Sequence, residues 1–177
     1  MRVKTITDGG FTEKKDSWCG KIYRYREENI KVKGDTLGLD KKRILHSLGV
    51  ANKMKVIANE LYPGNKEFIE DMFILGLLHD LGYEFAKTKL EHSEIGGTIL
   101  KKNGYKYWKE VYYHGKTGVE YKSEELKILN TADLLTDSNG REITAQERLK
   151  DVKERYGEDS FEYIDFVKLA KELGLIQ

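Results

Sequence analysis

The residues of this chain best equipped for chemistry are its four histidines and two of its aspartates. His79 and Asp80 stand side by side at the end of an otherwise apolar run, Met72-Phe73-Ile74-Leu75-Gly76-Leu77-Leu78. Two ionisable groups are costly to bury in such a run without partners. A metal ion suits both at once, because imidazole and carboxylate are ordinary ligands of Zn, Mn and Fe. Taken alone, the pair equally fits a hydrogen-bonded core histidine with Asp80 capping a helix end. His46, His92 and His114 have similarly simple single explanations: a core residue, helix-start polarity and a C-terminal charge on the helix dipole. Asp133, flanked by apolar neighbours in Asn130-Thr131-Ala132-Asp133-Leu134-Leu135, could accept bonds from Thr136 or a distant lysine. Together they form a pattern. Each histidine falls in a different helical segment, none lies outside the helical body, and helical metal sites are assembled from one ligand-type residue per helix.

The elements that must position these residues follow from periodicity. Ile44, Leu48, Ala51, Met54, Ile57, Ala58 and Leu61 recur at three- and four-residue spacing and predict a first helix, stopped by Tyr62-Pro63-Gly64-Asn65. A second is expected from about Glu67 to His79, with Gly82 as its C-terminal signal. A connection follows over 84–89. A third runs from His92-Ser93 to Asn103-Gly104, and a short fourth carries Trp108, Val111, Tyr112 and His114. Ser123 starts a fifth that ends near Thr136, and two more span roughly 144–156 and 160–173. The first 38 residues differ. Lys21–Arg26 and Ile30–Lys33 alternate with period two around Glu27-Glu28-Asn29, which predicts a β-hairpin. A short hairpin seldom stands alone in water, so it should lie on the helical body or on a partner chain, compatible with a homodimer. The expected organisation is an N-terminal β-rich arm over 1–38 and an all-α domain over 39–177. The domain's site-bearing part covers about 40–137, with a C-terminal helix pair over 141–177.

Composition narrows the partners. The 177 residues suffice for one domain with its own core, and 31 basic residues against 30 acidic ones leave a net charge of +1. That balance argues against a nucleic-acid duplex or an anionic membrane as the main partner. A single cysteine, Cys19, excludes an internal disulfide, and no apolar segment suggests a leader or a membrane span. A cytoplasmic location is the expectation.

His46, then His79-Asp80, then Asp133 in Thr131-Ala132-Asp133, resembles the H…HD…D signature of the HD-domain metal-dependent phosphohydrolase superfamily. Arg43–Ala51 resembles the family's first-histidine helix, and Leu77–Gly82 its second. Glu91–Leu100 and Tyr113–Gly118 are similar to the segments that carry two additional histidines in the binuclear, four-His two-Asp members. Those members include symmetrical diadenosine tetraphosphatases and cyclic-dinucleotide phosphodiesterases, although the Gly-Tyr-Pro triplet of the latter is absent here. The resemblance implies an HD-type helical bundle in which His46, His79, Asp80 and Asp133 hold one ion. His92 and His114 would hold a second, with Asp80 bridging and carrying the catalytic centre. Fe or Mn is favoured, with Zn, Co, Ni and Mg as other candidates. The implied activity is hydrolysis of a phosphate ester or phosphoanhydride, of a nucleotide or related small compound, by metal-activated hydroxide. Lys116 and Arg43 are candidates to neutralise substrate phosphate, and Glu94 and Lys116 to assist catalysis. Two other activities suit the same ligands: a di-iron oxygenase on the HD fold, and a metal-holding regulatory module without turnover.

Overall fold

A computed structural model of the chain describes the backbone of residues 7–8, 11–15 and 22–25, and residues 39–88 and 91–177 with their side chains. Two compact units divide it, Met1–Lys41 and Lys42–Gln177. In the first, β1 (Thr7–Asp8), β2 (Phe11–Lys15) and β3 (Ile22–Tyr25) form an antiparallel sheet in the order β1-β2-β3. The described partner of β3 is β2, with Thr12 opposite Tyr25 and Lys15 opposite Ile22. The hairpin expected between Lys21–Arg26 and Ile30–Lys33 is not shown, because its second strand lies outside the described residues.

The second unit is all-α. It contains α1 (Lys41–Leu61, whose first residue falls at the boundary), α2 (Lys66–Leu78), α3 (His92–Lys102), α4 (Trp108–Tyr113), α5 (Glu124–Leu134), α6 (Ala145–Tyr156) and α7 (Phe161–Glu172). Side-chain oxygens start four of these helices where the sequence has Asn, Ser or Thr: Asn65 for α2, Ser123 for α5, Thr144 for α6 and Ser160 for α7. Thr144 and Glu147 form a reciprocal capping box. Val50, Met54 and Ala58 of α1 pack with Met72 and Leu75 of α2, Leu100 of α3, Val111 of α4, and Ile128, Leu129 and Ala132 of α5. Leu134 continues this wall into a second cluster with Leu169 and Ala170, which docks α7 against the end of α5. Among the described residues no helix is long and apolar enough to cross a membrane.

Two features depart from the sequence expectation. Residues Leu81–Glu84 form a 3-10 turn directly after His79 and Asp80. Gly82, expected as a left-handed helix terminator, does not have a positive φ. Its role is close approach: a Cβ there would collide with the carbonyl of His92 and sit 2.7 Å from Gly96 N. Only a residue without a side chain lets the start of α3 come this near to Asp80. A second close approach joins α1 to the turn after α5. A Cβ on Gly49 would lie 2.5 Å from the Gly140 carbonyl oxygen, and Gly140 itself turns with φ of 76°.

Candidate metal centre

The six residues singled out from sequence converge in the second unit. His79 is the last residue of α2's C-terminal turn, and Asp80 opens the 3-10 turn. The Asp80 side chain makes no capping bond, which removes the helix-capping explanation for it. Its carboxylate instead faces histidine nitrogens on both sides. Oδ2 lies 3.4 Å from His79 Nε2 and 3.9 Å from His46 Nε2. Oδ1 lies 3.5 Å from His92 Nε2 and 3.7 Å from His114 Nε2. Asp133, the penultimate residue of α5, places Oδ1 2.9 Å from His46 Nε2. The ligand atoms of His46, His79 and Asp133 lie within 4.8 Å of one another, as do those of His79, Asp80 and His114; His79 belongs to both groups.

What orients the rings is as informative as where they sit. His79 Nδ1 donates to the Gly76 carbonyl at 2.7 Å, and His114 Nδ1 to the Val111 carbonyl at 2.6 Å. Both acceptors are three residues upstream, the last free carbonyls of α2 and α4. His46 Nδ1 donates to the Asp137 carbonyl at 3.0 Å, across the Gly49–Gly140 contact. Fixing the proton on Nδ1 leaves Nε2 of each ring with a lone pair aimed at the cluster, the second-shell arrangement that prepares histidine for a metal. Farther back, the Asn130 side chain accepts from Gly115 N at 2.9 Å and anchors the loop that follows His114 to α5.

The donor set fits a cation by three observations. His79 Nε2 is completely buried, and the carboxylate oxygen it faces, Asp80 Oδ2, stands 3.4 Å away without good hydrogen-bond geometry. Such an orphan costs about 1–3 kcal/mol if nothing fills its lone pair. His92 and His114 bring their Nε2 atoms to 3.0 Å, a distance that requires a proton or a cation shared between them. Both nitrogens of His46 face oxygen acceptors, so Nε2 and Asp133 have the same requirement.

The electrostatics agree. Burial works to raise the Asp80 carboxyl, but the charge of His79, bonds from His114 and His79, and the Arg43 guanidinium outweigh it and hold it well below the usual carboxylate range. Burial likewise opposes ionisation of Asp133, and the hydrogen bond and charge of His46 prevail. Burial works to lower His79, yet Asp80 pushes it up to about 9. A cation in the cluster would stand where that extra proton stands.

The residues proposed around the ligands are arranged less simply. Arg43 Nη1 lies 2.6 Å from Asp80 Oδ2, and its guanidinium covers the Tyr83 ring at 3.8 Å from the centroid. Tyr83 in turn stacks on His92, centroids 4.0 Å apart. Lys116 and Glu94 meet each other at 2.7 Å, with the Lys116 ammonium 4.6 Å from the Tyr112 ring centroid. Among the described residues neither bonds to any of the six clustered groups.

Tyr83, which as an aromatic residue near the cluster could stack a nucleobase, is instead the slab between Arg43 and His92. Sequence reasoning passed over Arg148, which shares a cavity with Asp133. Arg148 carried no sequence signal, being one charge among many on the polar face of α6.

A family model described as HD domain matches residues 43–138, just over half of the chain and every residue of the cluster. Searches of curated proteins and of solved structures each return no match. By that family match, the chain belongs to the HD domain family, a superfamily of metal-dependent phosphohydrolases that bind divalent metals.

Proposed function

We propose that this member is a binuclear phosphohydrolase that cleaves a phosphate ester or anhydride of a nucleotide or related small phosphate compound. The observation that carries the proposal is the two-sided use of Asp80. One carboxylate oxygen faces His46 and His79, the other faces His92 and His114, at 3.4 to 3.9 Å throughout. A carboxylate so flanked suits a bridge between two ions, one held with Asp133 and one by the remaining histidine pair. Divalent ions there supply Lewis acidity, lowering the pKa of water towards neutrality and neutralising charge on phosphoryl oxygens.

The chain's own residues then have distinct tasks. Asp80 sets the spacing of the two halves. The Nδ1 bonds to Gly76, Val111 and Asp137 keep three rings from turning, which reduces the reorganisation needed on ligand binding. Arg43, 30% exposed at its side chain and already at Oδ2, is the cation placed to reach a bound phosphoryl oxygen. Lys116, held by Glu94 two residues beyond His114, is a further positive charge for the departing phosphate.

The test is phosphate or nucleotide release from a panel of nucleotides, dinucleoside polyphosphates and cyclic dinucleotides, using the chain loaded anaerobically with Mn or Fe. Turnover on at least one class is expected. Silence from a chain carrying two ions would overturn the hydrolase assignment.

A further inference from the structure

Beside Asp133 and Gly115 opens a cavity of about 210 Å³ whose opposite wall comes from the C-terminal helix pair, α6 and α7. Its lining mixes one cation, Arg148, with the carboxylates of Glu162 and Asp165 and the rings of Phe161 and Phe166. Arg148 is the unusual member. Its side chain is only 17% exposed, and its Nε is buried with no hydrogen-bond partner among the described residues. Among the described residues the carboxylate in ion-pair range of it, Asp151, is 3.9 Å away and is also engaged by Arg155, and its guanidinium carbon lies 6.0 Å from the Phe166 ring centroid. A guanidinium has five donors in a fixed fork, and a buried donor left unused is costly. An anion entering the cavity would satisfy it. Phe161, by contrast, is 64% exposed although it lines the same cavity. An aromatic face left in water at a cavity mouth is a platform for a planar ring.

We propose that the α6–α7 pair is the substrate-recognition element of this centre. Arg148 grips a phosphoryl oxygen of a nucleoside phosphate, Phe161 stacks its base, and Glu162 and Asp165 accept from its hydroxyls. The proposal rests on the phosphohydrolase reading above and adds to it where the organic part of the substrate lies. The volume is smaller than the roughly 300–1,000 Å³ of closed drug-sized sites, which favours one nucleoside unit over a dinucleotide held whole.

Equilibrium binding of inorganic phosphate and of the four ribonucleoside 5′-monophosphates to the manganese-loaded full chain tests this, with Arg148→Gln, Arg148→Lys and Phe161→Ala beside the wild type. Arg148→Gln should weaken the best-bound monophosphate at least tenfold and phosphate similarly. Arg148→Lys should recover part of that loss. Phe161→Ala should weaken the monophosphate at least fivefold and leave phosphate unchanged. Metal content and the circular dichroism spectrum should match the wild type throughout. Unchanged monophosphate binding in Arg148→Gln and Phe161→Ala would overturn the proposal, as would loss of metal in parallel with loss of affinity. Phosphate release separates the two levels. Nucleotide binding that depends on both residues without any turnover defeats the hydrolase reading and leaves the cavity assignment standing. Turnover with the same KM in wild type and variants does the reverse.

Discussion

The two oxygens of Asp80 face unlike surroundings. On the Oδ2 side stand His46 and His79, a second carboxylate from Asp133, and the Arg43 guanidinium at 2.6 Å. On the Oδ1 side stand only His92 and His114, with no carboxylate besides Asp80 among the clustered groups. The Oδ2 side is tied to the scaffold from two directions, through Gly76 on α2 and Asp137 beyond α5. The Oδ1 side is tied through His114 to Val111 on α4, while its other histidine, His92, depends on the start of α3, brought close by Gly82, and is 17% exposed at the side chain. More negative donors and firmer support predict a tighter ion on the Oδ2 side and a more exchangeable one on the Oδ1 side.

The largest expected effect erases the contrast. Asp80→Asn removes the charge both sides share, so metal should be lost from both. Activity should fall by more than about a hundredfold, the upper end of what loss of an outer-shell partner costs. Metal analysis and turnover on one preparation check this. Next come the single-sided changes. His92→Gln should leave close to one ion per chain, whereas His46→Gln should lower the content further, because it damages the better-endowed side. Equal losses in the two variants would dissolve the distinction.

Gly82→Ala probes the scaffold alone. Its new Cβ meets backbone, which cannot swing aside, so a stability loss of about 1–3 kcal/mol is expected in denaturant unfolding. The remaining metal deficit should fall on the more exchangeable ion.

The smallest effect is a pH trend. In the metal-free chain His79 is raised from 6.5 to about 9. A raised pKa contributes stability that is fully present below 6.5 and lost as pH climbs towards 9, so the melting temperature of the metal-free chain should decline across that window. With metal bound the trend should vanish or reverse, since proton and ion compete for the same lone pair. Thermal scans at pH 6, 7.5 and 9 with and without metal distinguish the cases.

Much of the Oδ2 and Oδ1 sets was legible from residue type. Few side chains ligate metals, the chain has four histidines, and each sits in or at the end of a helix that periodicity could locate. The helices were legible for the same reason: α1 ends at Leu61 because Pro63 and Gly64 follow, and α5 starts behind Ser123. Gly82 was misread because a sequence does not separate a glycine needed for positive φ from one needed for close approach. The bond from His46 to the Asp137 carbonyl spans 91 residues and exists only through the Gly49–Gly140 contact, so no local pattern announces it. Arg148 was invisible on different grounds. What singles it out is a buried, unpartnered Nε in a cavity shared with Asp133, a property of the packed helix pair and of no stretch of sequence.

The central claim is that Asp80 joins two ion sites. Its most direct test is anaerobic calorimetric titration of the metal-free chain with manganese, run beside Asp80→Asn. Two ions per wild-type chain, one tighter than the other, and a collapse of both in the variant are predicted. A wild-type chain that binds a single ion or none, or a variant that still binds two, would contradict it.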